Sequence, residues 1–478
     1  MIWGYTTLAK DLIYDVHDKP KFPQMLLFAL QQVLAILAAT ILVPTIIGNG
    51  MSQSAALFGA GIGTLVYQLF TKFRSPAFLG SSFAFIGSMF AAFGGAASAS
   101  AGYAGLIIGA VFAGLVYVVI ALVVKFVGVE WINKLMPAVV IGPTVALIGL
   151  SLAVNAVNDL TVGKVLVEKT ELVIENGFIK PSVSFVSGCS PYVALICGLV
   201  TLFAIFAFSV YGKKMMKLIP FVLGIMVGYI VATIFTVIGY ATDNVALQVI
   251  NFEAFKDVQI FAIPDFTFVE AIKGLKDVDG TLIATIAVAY IPVAFVVFAE
   301  HIADHKNLSS IIDKDLLKDP GLDRTLLGDG VGSIAGAFFG GCPNTTYGES
   351  VGCVAITKNA SVVTITTAAI MSIVISFFGP FVTFLASIPN CVMGGVCVAL
   401  YGFIAVSGLK MIQKVDLGKS KNLFVVSAIL IPGIGGLSVS FGEITLTTIA
   451  CALLLGIIAN IVLNLKKTEE DNQEVDKS

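Results

Sequence analysis

The sequence predicts an all-α polytopic membrane protein. Of its 478 residues 57% are hydrophobic and only 12% are charged, and the mean hydropathy is +0.97. Soluble proteins carry about 25% charged residues. Three stretches of roughly 50 residues contain no Asp, Glu, Lys or Arg: those between Lys21 and Lys72, between Arg74 and Lys125, and after Lys358. Each stretch is long enough for two helices of about 20 residues, which is the length that crosses a hydrocarbon core.

The apolar segments number fourteen. Seven precede the polar region 241–280 and seven follow it. The first set lies at about 24–47, 53–71, 76–91, 100–124, 131–154, 191–211 and 217–240, and the second at about 281–303, 326–341, 343–357, 360–387, 389–408, 420–439 and 445–465. Because seven is an odd number, two such halves inserted one after the other have opposite orientations, as an inverted repeat requires.

Lysine and arginine residues in the short loops predict the orientation. With the amino terminus inside, the loops that carry Lys72, Lys213, Lys358 and Lys466 all fall on the cytoplasmic side, in agreement with the positive-inside rule. We therefore expect a multi-pass protein of the cytoplasmic (inner) membrane of the cell, with both termini in the cytoplasm. The residues before Lys21 carry mixed charges without a short apolar core, so no cleaved signal peptide is expected.

The composition argues against several functional classes. A net charge of -2 offers no basic face for nucleic acid. The seven cysteines form no CxxC pair, so we expect small buried hydrophobic residues rather than disulfides or metal ligands. With only three histidines, no polyhistidine metal site is expected. No HExxH motif and no cluster of acid, base and nucleophile points to an enzyme. No cofactor is expected.

Two of the fourteen segments are short and interrupted. Segment 76–91 begins at Pro76 and contains Gly80, and segment 343–357 begins at Pro343 and contains glycine and a carboxylate. Each is the third segment of its half. Such pairs are typical of inverted repeats with a binding site at the membrane midplane. We expect a short strand leading into a half helix, whose free N–H groups and positive dipole end face a cavity. The alternative is a pair of re-entrant packing loops without a ligand.

Carboxylates inside the eighth segment are candidate functional groups. A charge at the bilayer centre costs several kcal/mol, so such residues mark pathways or proton relays. Glu300 and Asp304 are one helical turn apart on one face, and His301 and His305 form the neighbouring row. The alternative places all four at an ordinary solvated helix end.

Glu349 is the carboxylate of the second interrupted segment. It follows Gly348 and lies among polar residues in an otherwise apolar region. The structural alternatives are a helix-end cap or an ion pair with Lys358.

Four stretches resemble motifs of the nucleobase–ascorbate transporter family. GCPNTTYGESVGCVAITK (341–358) resembles the family signature, and FAEHIADH (298–305) resembles the eighth-span motif. FLGSSFAF (78–85) is similar to the third-span strand, and QQVLAILAATILVP (31–44) to the first-span motif. Within the family the chain is most similar to the bacterial uracil permeases. It departs from the usual pattern at Ser350, where Asn is common, at Gln32, where many members have His, and at Asp304, where some have His.

The resemblance implies a fourteen-span fold of two inverted sets of seven, in which a core domain slides against a gate domain in an elevator-type mechanism. It also implies a homodimer formed through the gate domain, and a proton as the coupling ion. The chain would then divide into a cytoplasmic amino terminus (1–23), core segments (24–128 and 281–387), gate segments (129–240 and 388–465), an extracytoplasmic loop (241–280) and a disordered cytoplasmic tail (466–478).

The resemblance also assigns roles to individual residues. Uracil presents ring N–H groups alternating with carbonyls, and carboxylates accept hydrogen bonds from N–H groups. The family pattern gives Glu300 and Glu349 this accepting role. It gives backbone N–H groups near Phe83, and of Tyr347, Gly348 and Glu349, the role of donors to the carbonyls. The rings of Phe83 and Tyr347 would close over the flat substrate.

Proton coupling is assigned to the same region. Desolvation in a dry cavity disfavours the charged form of a carboxylic acid, so proton and substrate binding can be linked. Glu300 is the first candidate for the proton carrier, and the pattern leaves open whether Asp304, His305 or neither shares the proton.

Substrate choice rests mainly on Glu349, because within the family Glu at this position goes with uracil. Ala39 on the first span leaves room for the ring. The implied function is proton-coupled uracil uptake, with membrane lipids and a small nucleobase as the only other expected partners. The alternatives are a xanthine or urate permease, an anion exchanger of the same architecture, or a channel.

Overall fold

The computed structural model describes residues 12–128, 137–175, 178–213, 215–256, 258–413, 415–441 and 444–465. The chain divides into two compact units. The first unit comprises Met1–Ser151, Ile263–Ser376 and Tyr401–Ser478, and the second comprises Leu152–Ala262 and Phe377–Leu400. The core and gate domains expected from the sequence have other boundaries and stay predictions. The tail 466–478 lies outside the described residues.

Helices dominate the described residues. In chain order they are α1 (Phe22–Ile47), α2 (Gln53–Phe70), α3 (Ile86–Gly94), α4 (Ala99–Val127), α5 (Ala138–Ser151), α6 (Ala153–Asp159), α7 (Pro191–Tyr211), α8 (Met215–Leu218), α9 (Pro220–Ala241), α10 (Thr267–Gly274), α11 (Gly280–Ile312), α12 (Leu322–Gly340), α13 (Gly348–Thr357), α14 (Val362–Ser376), α15 (Gly379–Ser387), α16 (Asn390–Ile412), α17 (Ser420–Ile434) and α18 (Thr448–Leu463). The strands are β1 (Leu79–Ser81), β2 (Leu166–Glu175), β3 (Phe178–Ser187), β4 (Asn344–Thr346), β5 (Val439–Phe441) and β6 (Ile444–Leu446).

The length and apolar character of the helices confirm the membrane-protein class. Among the described residues, seven helices are long and apolar enough to cross a bilayer: α1, α4, the stretch Ala138–Asp159, α7, α9, α11 and α16. Shorter apolar helices include α14, α17 and α18. The count of fourteen spans in two inverted sets stays a prediction. All seven cysteines are buried, as the sequence predicts.

The two interrupted segments meet in the first unit. Strands β1 and β4 pair antiparallel with Gly80 opposite Thr345, and each strand is followed by a short helix, α3 or α13. The strand-then-helix form agrees with the sequence prediction. Gly80 is required at this pairing, because a Cβ atom there would lie 2.4 Å from the ring of Tyr347.

Close packing of α2 against α12 holds the start of β4. A Cβ atom on Gly59 would lie 2.6 Å from the carbonyl oxygen of Gly336, so only glycine permits this approach of the two backbones. Asn344 lies at the same contact and donates from Nδ2 to the carbonyl of Gly59 at 3.0 Å. The contact is of the small-residue type common between membrane helices, and it fixes the strand that enters the site.

Gly59→Ala is therefore expected to destabilise the protein by about 1–3 kcal/mol, because two backbones must separate to admit the methyl group. Thermal unfolding of the purified protein measures the effect. The matched control is Gly87→Ala on α3, where a Cβ atom meets nothing within 4 Å. An equal or higher midpoint for Gly59→Ala than for the control would contradict the packing argument.

Residues 12–21, which precede α1, pack on other parts of the first unit and form what we call the amino-terminal arm. Ile13 N–H donates to the carbonyl of Lys358 at 2.8 Å, directly after α13. Val16 is 2% exposed and joins a hydrophobic cluster formed with residues of α11 and α13. Asp15 forms an ion pair with Lys314 at 2.7 Å, beyond the end of α11. The arm thus contacts the carboxyl-terminal ends of both helices that carry the predicted carboxylates.

A β-hairpin in the second unit corrects the all-α prediction. Strands β2 and β3 pair antiparallel from Leu166 opposite Ser187 to Glu175 opposite Phe178. The sequence places this stretch in a loop at about 155–190. The sequence signal was nonetheless present, because the two strand sequences are separated by Asn-Gly, the pair favoured in two-residue hairpin connections.

Candidate substrate-binding site

Helix α11 presents two faces with different surroundings. It begins at Gly280, capped by the side chain of Asp279, and continues to Ile312, nine residues beyond the predicted span. The two histidines therefore lie inside the helix, and His301 and His305 are 0% and 1% exposed. The alternative of a solvated helix end is wrong for them. Glu300 and Asp304, on the other row, both line a cavity.

The cavity has a volume of about 160 Å³ and lies within the first unit. Six elements or their flanking residues form its walls: β1, α5, α11, β4, α13 and α16. The lining residues are 82–84 after β1; Ile141, Val145 and Ile148 of α5; Ala299, Glu300, Ala303 and Asp304 of α11; 345–349 at the junction of β4 and α13; and Phe403, Ile404, Ser407 and Met411 of α16. The two interrupted segments and the eighth predicted span thus converge on one space.

The amino-terminal end of α13 opens into this cavity. Glu349 occupies the first turn, and the first intrahelical bond runs from Val351 N–H to the carbonyl of Tyr347 at 3.1 Å. The N–H groups of Gly348 and Glu349 therefore have no acceptor within the helix. Tyr347 differs from the prediction, because its N–H donates to the carbonyl of Phe78 at 3.2 Å. Of the three predicted backbone donors of this helix, the N–H of Gly348 has no acceptor within the helix, whereas the N–H of Glu349 faces the carboxylate of its own side chain.

Hydrogen bonds fix the side chains around the strand pair. The hydroxyl of Thr346 donates to Oδ2 of Asp304 at 3.1 Å, which ties β4 to α11. The hydroxyl of Tyr347 donates to the carbonyl of Ser81 at 2.8 Å, which holds its ring over β1. Both bonds orient groups on the cavity wall without occupying Glu300 or Glu349.

Two of the departures from the family pattern contact each other. The hydroxyl of Ser350 accepts hydrogen bonds from Nε2 of Gln32 and from the N–H of Phe78, the latter at 3.2 Å. These bonds join α1, the stretch before β1 and α13 in the buried interior. Ser350 and Gln32 therefore act as one brace, and each explains the residue type found at the other position.

The expectation that the sequence contains no GxSxG motif is wrong, because the run GESVG at 348–352 has the spacing of this serine-hydrolase motif. In hydrolases the serine lies exposed on a sharp turn next to a histidine. Here Ser350 is 0% exposed, and its hydroxyl is held by Gln32 and Phe78. The motif is structural in this protein.

Behind the cavity, the histidines of α11 pair with residues that the sequence did not single out. His301 Nδ1 lies 2.7 Å from Oδ2 of Asp329, and its Nε2 lies 3.0 Å from the hydroxyl of Thr325, both on α12. His305 donates from Nδ1 to the carbonyl of His301 at 2.8 Å, and its Nε2 lies 2.7 Å from the hydroxyl of Tyr67.

Asp329 is a buried carboxylate that the sequence prediction missed. It is 0% exposed, and it lies in a glycine-rich run (LGDGVGS) within the ninth predicted span. An acidic residue within an apolar span is itself a signal, so the rule that selected Glu300 would also have selected Asp329.

Two predicted site residues lie away from the cavity. Ala39 is 2% exposed inside α1 and is not part of the cavity wall. His305 faces Tyr67 on the opposite side of α11. The structure brings together Glu300, Asp304 and the predicted residues 83 and 347–349 around the cavity.

The charge of the cavity is one-sided. Glu300, Asp304 and Glu349 line it, and no lysine or arginine among the described residues does. Lys358 lies at the other end of α13 from Glu349, about 13 Å away along the helix at 1.5 Å per residue, so the predicted ion-pair alternative is wrong. Buried charges without partners are costly. The cavity therefore favours a neutral ligand that donates hydrogen bonds.

Among the described residues, no group of three or more His, Cys, Asp or Glu side chains could hold a metal ion.

Comparison with known proteins identifies the family. Residues 23–441 match the sequence model of a family described as "Permease family". The uracil permease of Bacillus subtilis (strain 168) is 36% identical over 465 residues, covering 96% of this chain and 97% of the relative. The uracil permease of Escherichia coli (strain K12) is 31% identical over 452 residues, covering 94% of each. The chain belongs to this permease family. The resemblance drawn from the sequence motifs is confirmed, and the protein is a multi-pass membrane transporter.

Solved structures with a similar fold come from other transporters. The transmembrane domain of the cyanobacterial bicarbonate transporter BicA has a TM-score of 0.61 at 15% identity and covers 93% of the permease and 99% of its own chain. The murine anion transporter Slc26a9 has a TM-score of 0.63 at 12% identity and covers 93% of the permease and 69% of its own chain. At these identities the likeness concerns the fold alone.

Proposed function

We propose that the permease takes up uracil together with protons across the cytoplasmic membrane. The observation that carries the proposal is the arrangement of Glu300 and Glu349 on one cavity, beside the amino-terminal end of α13 with the N–H group of Gly348. Uracil has two ring N–H donors and two carbonyl acceptors in one plane. Carboxylates accept from the first and backbone N–H groups donate to the second. The relatives named uracil permeases support this choice of substrate.

Proton coupling follows from the charge of the cavity. Three carboxyl groups line one cavity, with no lysine or arginine among its described lining residues. Burial disfavours their charged forms, and proton binding neutralises them. We assign the coupling proton first to Glu300, with Asp304 as the second candidate because it also lines the cavity. His305 is a weaker candidate, because it faces Tyr67.

An elevator-type movement is supported by the composition of the cavity walls. Residues 82–84, Glu300, Asp304 and 345–349 belong to segments predicted as core, whereas residues of α5 and α16 belong to segments predicted as gate. A substrate bound between core and gate segments can move with the core segments while the gate segments block its access to one side of the membrane. The fourteen inverted spans, the cytoplasmic termini and a homodimer through the gate complete the proposal.

The alternatives are a permease for xanthine or urate and an exchanger for small anions. The solved structures of similar fold include anion transporters. In the part of the chain that the structure describes, however, three carboxylates and no lysine or arginine line the cavity, and such a lining repels anions. Urate carries negative charge near neutral pH, which disfavours it for the same reason. Neutral uracil avoids this repulsion.

A thermal-shift panel on the purified protein tests the substrate. A ligand that binds the native state raises stability by about 2.7 kcal/mol at 100 times its dissociation constant. We expect uracil to raise the unfolding midpoint, and xanthine, urate, ascorbate and bicarbonate to leave it unchanged. Stabilisation by xanthine or urate without stabilisation by uracil would make the protein a purine permease.

A further inference from the structure

We propose that helices α5 and α16 form an apolar wall of the cavity that faces the C5–C6 edge of the base and limits the size of a substituent at C5. The inference rests on the proposed uracil transport and adds residues that decide which pyrimidine is accepted. The apolar wall consists of the lining residues that these two helices contribute to the cavity.

Each of the two helices presents one face to the cavity. The lining residues of α5 are Ile141, Val145 and Ile148, which are four and three positions apart. Those of α16 recur at similar spacing between residues 403 and 411. Such spacing places side chains on one side of a helix. Ser407 carries the only polar side chain among the described residues of the apolar wall.

The hydrogen-bonding groups of the cavity come from other elements. Glu300 and Asp304 belong to α11. Gly348 and Glu349 belong to the first turn of α13. The lining of the cavity is therefore divided into a part that forms hydrogen bonds and a part that is apolar.

Uracil is divided in the same way. Its two ring N–H groups and two carbonyls occupy four consecutive ring positions, from N1 to C4, whereas C5 and C6 carry only hydrogen. When the carboxylates accept hydrogen bonds from the N–H groups, the C5–C6 edge turns away from α11 and α13. Contact with the apolar wall then removes this edge from water, which is favourable.

The space beside the apolar wall is small. The cavity volume of about 160 Å³ lies below the roughly 300–1,000 Å³ typical of sites for drug-sized ligands. Val145 and Ile148 are 5% and 1% exposed, so the surrounding protein packs tightly around them. A methyl group at C5 must therefore displace packed side chains or shift the ring away from its hydrogen bonds. Because one carbon in a hydrophobic pocket changes binding by about 10- to 200-fold, uracil should bind at least tenfold more tightly than thymine (5-methyluracil).

Ile404→Ala and Ile141→Ala test the apolar wall from its two helices. Both residues line the cavity and are partly exposed. Each substitution makes room for a small group at C5, so the ratio of uracil affinity to thymine affinity should fall by about tenfold. Competition of thymine and of 5-ethyluracil with labelled uracil on the purified protein measures this ratio. A general loss of structure would weaken all three ligands alike and leave the ratio unchanged.

Val406→Ala and Leu150→Ala are the matched controls. These residues lie on α16 and α5, are 48% and 41% exposed, and are not part of the cavity wall. Both controls should keep the wild-type ratio, and a fall in either wall variant would support the proposal. Thymine binding as tight as uracil binding in the wild type would overturn it, and so would an unchanged ratio in both wall variants. A wild-type protein that binds no uracil would instead refute the proposed function.

Discussion

Glu349→Gln is expected to weaken uracil binding by roughly 30- to 150-fold. The change removes a charge-assisted hydrogen bond worth about 2–3 kcal/mol, and tenfold in affinity corresponds to about 1.4 kcal/mol. The new amide also presents an N–H₂ group where the ring N–H of uracil requires an acceptor. Because Glu349 lies in the first turn of α13 and forms no ion pair among the described residues, the variant should still fold. Uracil-dependent thermal shifts and uptake of labelled uracil measure the effect.

The matched control for this substitution is Glu270→Gln. Glu270 lies on α10, pairs with Lys273 at 2.5 Å and is not part of the cavity wall. An exposed pair of this kind contributes about 0–1 kcal/mol to stability, so membrane insertion, binding and uptake should match those of the wild type. Full uptake by Glu349→Gln at limiting uracil would remove Glu349 from the site.

The sequence predicted the interrupted segments well because their signals are local. Proline and glycine mark the start and the break of each segment, and a carboxylate in an apolar run is conspicuous. The pairing of Gly80 with Thr345 then follows from two short strands that must satisfy their backbone groups inside the protein. Such groups have few other partners in an apolar interior.

The remainder of the site depends on contacts between residues distant in sequence. Helical periodicity places His301 and His305 on a common row, but it does not say that Asp329 faces one and Tyr67 the other. Likewise, nothing local to Gln32 indicates its bond to a serine 318 positions away. These pairs form because particular faces of distant helices pack against each other. No local pattern in a single sequence indicates which faces will meet.

The amino-terminal arm illustrates the same limit. Its described residues, 12–21, are few and mix apolar with charged side chains, and their sequence predicts only a cytoplasmic segment. In the structure Ile13 pairs with the backbone of Lys358, and Val16 fills a cluster beneath the strand pair. This backbone pairing is possible only because α13 ends at Thr357, directly before Lys358, which accepts the hydrogen bond from Ile13.

Glu300→Gln is expected to separate transport from the proton gradient. Glutamine imitates the neutral carboxyl and cannot release a proton, so the carrier can move its substrate without the linked protonation step. One proton per uracil would support about tenfold accumulation for each pH unit, since one unit is worth about 1.4 kcal/mol. In proteoliposomes with an acidic exterior, the wild type should accumulate uracil, whereas the variant should equilibrate it to a ratio near one.

Exchange measurements keep this prediction distinct from a loss of binding. Glu300→Gln should still exchange labelled for unlabelled uracil across the vesicle membrane, although more slowly because one acceptor is altered, and Glu270→Gln should accumulate uracil as the wild type does. Gradient-driven accumulation that survives in Glu300→Gln would move the coupling proton to another buried carboxyl. Asp304 and Asp329 are the remaining candidates, since one lines the cavity and the other contacts His301 on the same helix. Asp304→Asn and Asp329→Asn are then tested in the same vesicles. Loss of accumulation in Asp304→Asn would place the coupling proton in the cavity, and loss in Asp329→Asn would place it at the contact with His301.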